Sequence, residues 1–283
     1  MRRILGLLVF ASALRLTAAC ERFGTGADSE GPEQLEAGAQ PDATSDSGDG
    51  APSQTDCPSR HGPSMVRVGG FCIDSTEVTV AQYAEFLAAP DVPDDQPPGC
   101  AWNKTFRPDY WWRATPFESD AGLSSAEVDS MPVTVVDWCD ARAFCAWAGK
   151  RLCGRVGGGP SLAASEVSTT ASEWFVACSR KGARLYPYGD DFDGTACNGV
   201  GSGHREPVAS SPGCVGGYDG LFDMTGNVAE WIDDCGDGSA CAMMGGNFGF
   251  PQGSLHCGAS DPQPGDAGYP QGGFRCCATP PAP

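Results

Sequence analysis

The sequence predicts a loop-rich domain of short helices and strands, stapled by disulfide bonds instead of by long stacked elements. Three observations predict it. The 283 residues include 39 glycines and 23 prolines, the residues that most often interrupt regular structure. They include fifteen cysteines, and spacings such as Cys235-x5-Cys241 and the adjacent Cys276-Cys277 fit no tetrahedral zinc ladder. Segments with clear helical or strand periodicity are few and short.

From the start of the chain, Arg2 and Arg3 precede an apolar run from Ile4 to Leu14, and Leu16-Thr17-Ala18-Ala19-Cys20 follows. A basic start, an apolar run too short to span a bilayer and small residues before a cut predict a secretory signal over residues 1–19. A cysteine at this place resembles a bacterial lipoprotein signal, in which the Cys20 thiol receives a diacylglyceryl group. Arg15 and Thr17 depart from that pattern, and an ordinary signal cut near Ala19 is the alternative. Setting Cys20 aside leaves fourteen cysteines, enough for seven bridges in an oxidising compartment.

Residues 20–56 are rich in Gly, Ala, Ser, Asp, Glu, Pro and Gln, and their only large apolar residues are Phe23 and Leu35. Such a segment cannot bury enough surface to offset its ordering entropy, and it reads as a disordered acidic tether. Residues 21–56 hold nine acidic side chains and one arginine, a net −8 within a total of −18. The remainder of the chain is also acidic, which argues against nucleic acid as a partner. It is compatible with cation binding or with plain solubility.

Residues 57–283 form the expected domain. Met65 to Ile73 reads as a strand pair broken at Gly69-Gly70. Thr79, with Gln82 three residues on, starts a short helix through a capping box. Asp137 caps a helix over 138–148, where Trp138, Ala141, Cys145 and Ala148 share one stripe and Gly149 is the stop. A third helix runs from Ser172 to about Arg180, with Trp174, Ala177 and Cys178 inward and Gly182 as its stop. Trp102, Phe106, Tyr110, Trp111, Trp112 and Phe117 make an aromatic-dense stretch, either a recognition platform for a peptide or glycan, or core.

Several motifs occur in a set order: Phe71-Cys72-Ile73-Asp74-Ser75-Thr76-Glu77-Val78-Thr79, Pro132 to Ala141, Trp147 to Leu152, Ser172-Glu173-Trp174, Tyr186-Pro187-Tyr188-Gly189, Gly226-Asn227-Val228-Ala229-Glu230-Trp231, Gly245-Gly246-Asn247 and Gly273-Phe274-Arg275-Cys276. The series, over roughly residues 64–278, resembles the formylglycine-generating enzyme family, or sulfatase-modifying factor domain. The resemblance implies an α+β domain related to C-type lectin folds. It also implies a chemistry, in which active members use oxygen and copper to oxidise a client sulfatase cysteine to formylglycine. Two thiolates in a C-x4-C arrangement hold copper(I), a soft ion suited to sulfur.

By the same resemblance those thiols fall at Phe250 and Leu255, and neither hydrocarbon side chain can bind copper. Copper is therefore not expected. The family's two structural bridges map onto Cys145–Cys276 and Cys178–Cys257. Proximity adds Cys235–Cys241, Cys197–Cys214 and Cys139–Cys277. The family's calcium loop maps onto Asp223, Gly226, Val228 and Glu230, with two carboxylates and carbonyl oxygens as hard-cation donors; in the bland reading Glu230 only pins a turn. A second calcium site is matched in its first half, by Asn198 and Gly199.

Other chemistry finds little support. His61, His204 and His256 are scattered, Asp190, Asp191 and Asp193 miss the EF-hand spacing, and no nucleophile elbow, H-E-x-x-H or phosphate loop occurs. The expectation is an exported, cell-envelope domain, lipid-anchored (at the outer membrane) or secreted, that binds or assembles with a protein or peptide client and meets the membrane only through its lipid. A sulfatase-cysteine oxidase and a calcium-dependent glycan or peptide binder are the alternatives.

Overall fold

The computed structural model describes residues 57–58, 60–90, 96–108, 123–235 and 240–280. The signal, Cys20, the tether and Tyr110, Trp111, Trp112 and Phe117 lie outside the described residues. Among the described residues no helix is long and apolar enough to cross a membrane.

Two four-stranded sheets carry the fold. The first has β1 (Met65–Val68), β2 (Phe71–Asp74), β3 (Arg151–Leu152) and β8 (Cys276–Ala278), in the order β1-β2-β8-β3 with antiparallel pairing. The second has β4 (Ala229–Trp231), β5 (Cys241–Met244), β6 (Ser260–Gln263) and β7 (Gly272–Phe274), in the order β6-β5-β4-β7. There β4 and β7 run parallel and the other pairs antiparallel. Pro262 lies on the edge strand β6, where a residue without an N–H blunts further strand pairing.

The helices follow their caps. Thr79 and Gln82 form a reciprocal capping box at the start of α1 (Val80–Ala88). Asp137 caps α3 (Trp138–Trp147) through the Asp140 N–H, and Gly149 follows at φ +72°, where the Lys150 N–H closes onto the Cys145 carbonyl. Trp138, Ala141, Cys145 and Ala148 are all buried, as the stripe requires. Ser172 caps α4 (Glu173–Ser179), but its left-handed C-cap is Arg180, not the glycine two residues on. The Ser179 hydroxyl accepts the Gly182 N–H and ties off that end. A further helix, α2 (Ser125–Asp129), starts at a Ser124–Glu127 capping box and buries no residue fully, so no apolar stripe announces it.

The core has two main parts. Tyr83, Phe86, Trp138, Phe144, Trp231 and Phe274 anchor one. Val68, Ile73, Trp174, Leu221, Met224 and Ile232 anchor the other. Strand β8 touches both, because successive side chains on a strand point to opposite faces: Cys276 belongs to the first part and Cys277 to the second.

Seven disulfides use all fourteen cysteines from Cys57 onward. Cys145 is bonded to Cys276 and Cys178 to Cys257, closing sequence separations of 131 and 79 residues. Loops of that length correspond to about 4–5 kcal/mol each by chain entropy. Cys197–Cys214 and Cys235–Cys241 are also bonded. The expected Cys139–Cys277 bond does not form: Cys139 pairs with Cys100 and Cys277 with Cys153. The alternation along β8 explains this, since Cys276 faces α3 and its neighbour must face away.

Candidate functional site

Two touching segments make the candidate site. The first is the turn after β5. Gly245 and Gly246 both adopt positive φ, +87° and +69°. A Cβ at Gly245 would lie 2.7 Å from the Met224 carbonyl oxygen, and one at Gly246 would collide with the Ser254 carbonyl. Only a residue without a Cβ passes through this gap. The Gly226 N–H donates to the Gly245 carbonyl (3.1 Å) and the Phe248 N–H to the Asn227 carbonyl (3.0 Å). The turn is thereby fixed against the 223–230 loop.

Phe250 is half-buried and Leu255 buried. Phe250 stands between two clefts. One, of about 310 Å³, is lined by Met243, Asn247, Asp261, Tyr269 and Gln271 among others. The other, of about 460 Å³, is lined by Ser254, His256, Ser260 and Asp261. Leu255 packs so tightly that a Cβ on Gly199 would lie 2.6 Å from its Cδ1. The nearest cysteine along the chain, Cys257, is buried and bonded to Cys178. Neither cleft is lined by a cysteine. His256 accepts the Gly258 N–H at Nδ1 (3.1 Å), and burial pulls its pKa down. His61 instead stacks on Trp147 at 4.1 Å, and His204 Nδ1 lies 2.8 Å from the Ser202 carbonyl.

The second segment is the 223–230 loop. Asp223, Gly226 and Asn227 all have positive φ. Glu230 is 1% exposed, and its carboxylate takes three donors: Trp174 Nε1 and Arg275 Nε at Oε2, and Arg275 Nη2 at Oε1, all at 2.7 Å. A carboxylate offers about four lone-pair directions, so one remains. Asp223 Oδ2 accepts the Ala209 N–H at 2.6 Å. Burial, opposed by that N–H and by Arg275, lifts the Asp223 carboxyl to about 6. Asn198 donates from Nδ2 to the His204 carbonyl (2.9 Å) and to Asn227 Oδ1 (3.1 Å). Its own Oδ1 is buried with no donor. Gly199 lies beneath Leu255.

Three buried polar residues here carry roles that sequence reasoning did not assign. Asn227 Nδ2 donates to Glu77 Oε1 at 3.1 Å. Glu77 is fully buried, and its Oε2 has no donor. Burial, reinforced by Asp223 and Glu230 and opposed by Arg275, pushes the Glu77 carboxyl well up. Arg275 also donates to the carbonyls of Asp74 (3.1 Å), Phe222 (2.9 Å) and Asp223 (3.3 Å). All three lie inside the ordered motifs, as polar letters among apolar ones, and that was the available signal.

The donor set suits a hard cation on two grounds. Asn198 Oδ1 and Glu77 Oε2 are buried acceptors in want of a donor. Three carboxylates, Glu77, Asp223 and Glu230, each no more than 3% exposed, face the one guanidinium of Arg275; burying such an excess of one sign is costly. Among the described residues no three His, Cys, Asp or Glu side chains converge as a metal cluster. Any cation here would also need amide and carbonyl oxygens.

This fold, the order of its motifs and a match of residues 36–280 to the family described as sulfatase-modifying factor enzyme 1-like domain place the chain in that family. Among curated relatives, the inactive C-alpha-formylglycine-generating enzyme 2 of Mus musculus is 31% identical over 140 residues, 43% of this chain and 40% of the relative. The formylglycine-generating enzyme of Thermomonospora curvata is 28% identical over 231 residues, 70% of this chain and 67% of that enzyme. The serine/threonine-protein kinase Pkn1 of Chlamydia trachomatis is 31% identical over 174 residues, 60% of this chain, and the chain spans only 24% of the kinase's length. Among solved structures, PvdO from Pseudomonas aeruginosa superposes with a TM-score of 0.48 at 22% identity, covering 74% of this chain and 80% of that one.

Proposed function

We propose that this chain is an exported member of the family that binds or assembles with a protein or peptide client at the cell envelope, without copper oxidase chemistry. The observation that carries this reading is the loss of sulfur from the groove. Phe250 and Leu255 stand where the family holds two thiols, and every cysteine from Cys57 onward is already bonded. Oxidised sulfur cannot serve as a thiolate ligand. The deciding measurement is a thiol titration of mature, denatured, unreduced protein. None is expected. Two reactive thiols that bind copper(I), or conversion of a sulfatase-motif cysteine peptide to the aldehyde, would instead establish the oxidase.

The envelope location rests on the leader and Cys20. Metabolic labelling with a fatty acid should mark the wild-type chain and leave Cys20→Ala unmarked, with that variant moving to the soluble fraction. Calcium is the cofactor the donor set supports. Asp223 and Glu230 would hold it with the carbonyls of Gly226 and Val228, and Asn198 and Gly199 are the candidates for a second ion. Bound there, calcium would neutralise the surplus negative charge beside Arg275. A rise in melting temperature with calcium, reversed by chelator, is expected.

A further inference from the structure

We propose that Glu77 is a positioning residue of the 223–230 cation loop: its buried carboxylate clamps Asn227 and supplies negative charge to the cation. The inference rests on the calcium reading above. It starts from the place of Asn227, whose left-handed backbone, at φ +51°, lies between Gly226 and Val228, the two candidate carbonyl donors. Asparagine enters that conformation more readily than most residues with a Cβ, and here its surroundings fix it there.

Asn227 is fixed from every side. Its N–H donates to the Asn198 carbonyl at 2.7 Å. Its Oδ1 accepts from Asn198 Nδ2 (3.1 Å) and the Glu206 N–H (2.9 Å). Its Nδ2 donates to the Glu206 carbonyl (3.2 Å) and to Glu77 Oε1 (3.1 Å). Glu77 is the only charged side chain among these partners. Asn227 therefore joins both oxygen-rich segments, 223–230 and 198–199, and Glu77 holds the joint.

Glu77 does more than accept one hydrogen bond. Its second oxygen is buried without a donor, and it lies within electrostatic reach of Asp223, Arg275 and Glu230. A charge held in such a place would destabilise the cation-free protein, and burial beside Asp223 pushes the carboxyl up there accordingly. A neutral amide of the same shape would hold Asn227 equally well, so an acid there points to a positive charge that arrives later.

Glu77→Gln separates the two roles, since it keeps the acceptor and removes the charge. Chelator-treated, full-length protein is titrated with calcium chloride by calorimetry and melted with and without the ion. Wild type should bind. Glu77→Gln should bind about tenfold more weakly, because a nearby charge acts strongly in a buried site, while its cation-free melting temperature stays level or rises. Glu77→Ala should lose affinity further and melt lower. Glu85→Gln, which removes an exposed charge on α1, should bind like wild type. Equal affinity in wild type and Glu77→Gln, or an equal loss in Glu85→Gln, would overturn the role of Glu77 and leave the calcium reading standing. No calcium effect on wild type would overturn both.

Discussion

The segments 223–230 and 245–257 share hydrogen bonds, yet they hold opposite chemistry. The first gathers oxygen and charge: Asp223, Glu230, Asn227 and, from neighbouring segments, Glu77 and Arg275. The second presents hydrocarbon: Phe250 between two clefts and Leu255 sealed against Gly199. The difference teaches which part of the candidate site is also part of the skeleton. Glu230 is buried and bound to Arg275 and to Trp174 of the second core part, so its loss would cost the fold. A groove residue on a surface turn can change its chemistry while the fold stands.

The sharpest way to break the comparison is Arg275→Met. It leaves three buried carboxylates without their cation, and removal of one partner from a buried pair costs about 3–5 kcal/mol. Urea denaturation should show a loss of that order. A loss below about 1 kcal/mol would mean that the charged segment is not structural, and the contrast with the groove would collapse.

A second test rebuilds the groove. Phe250→Cys with Leu255→Cys should fold, at a cost of about 2–3 kcal/mol from the truncated Leu255 side chain. Under a reductant mild enough to spare the buried bridges, it should take up one copper(I) where wild type takes none. A folded double variant that binds no copper would show that more than two thiols separates this groove from its active relatives.

The smallest effect concerns Asp234, a half-buried acid outside the charged cluster. Its Oδ1 accepts the Ala242 N–H at 2.7 Å, and burial raises its pKa to about 6. A carboxyl whose pKa is higher folded than unfolded binds more protons when folded. Its contribution favours folding at about pH 4 and is lost as pH rises through about 6. Asp234→Asn keeps the acceptor, so its stability should fall less than that of wild type between those pH values. Identical pH profiles would remove Asp234 from the account.

The starts of α1, α3 and α4 were legible because a cap is a local device. Thr79 with Gln82, Asp137 and Ser172 each announce themselves within four residues. The bridges were legible only in part. Cys145–Cys276 and Cys178–Cys257 followed from family resemblance, whereas Cys139 and Cys277 were mismatched because their partners depend on which face of β8 each side chain takes. That face is set by pairing with β2 and β3, more than a hundred residues away in sequence. Glu77 stands in its motif with no mark of its role, because a buried acid and a surface acid are the same letter until the chain is folded.

Cys276 and Cys277 rivet β8 through both faces, to partners 131 and 124 residues earlier. Strand β8 also sits between β2 and β3. The first sheet is thus completed by a strand made long after the cysteines it must meet. Whatever forms early must wait, open and reduced, for β8 to be made, and a chain stopped short of residue 276 would leave Cys145 and Cys153 to find the wrong mates.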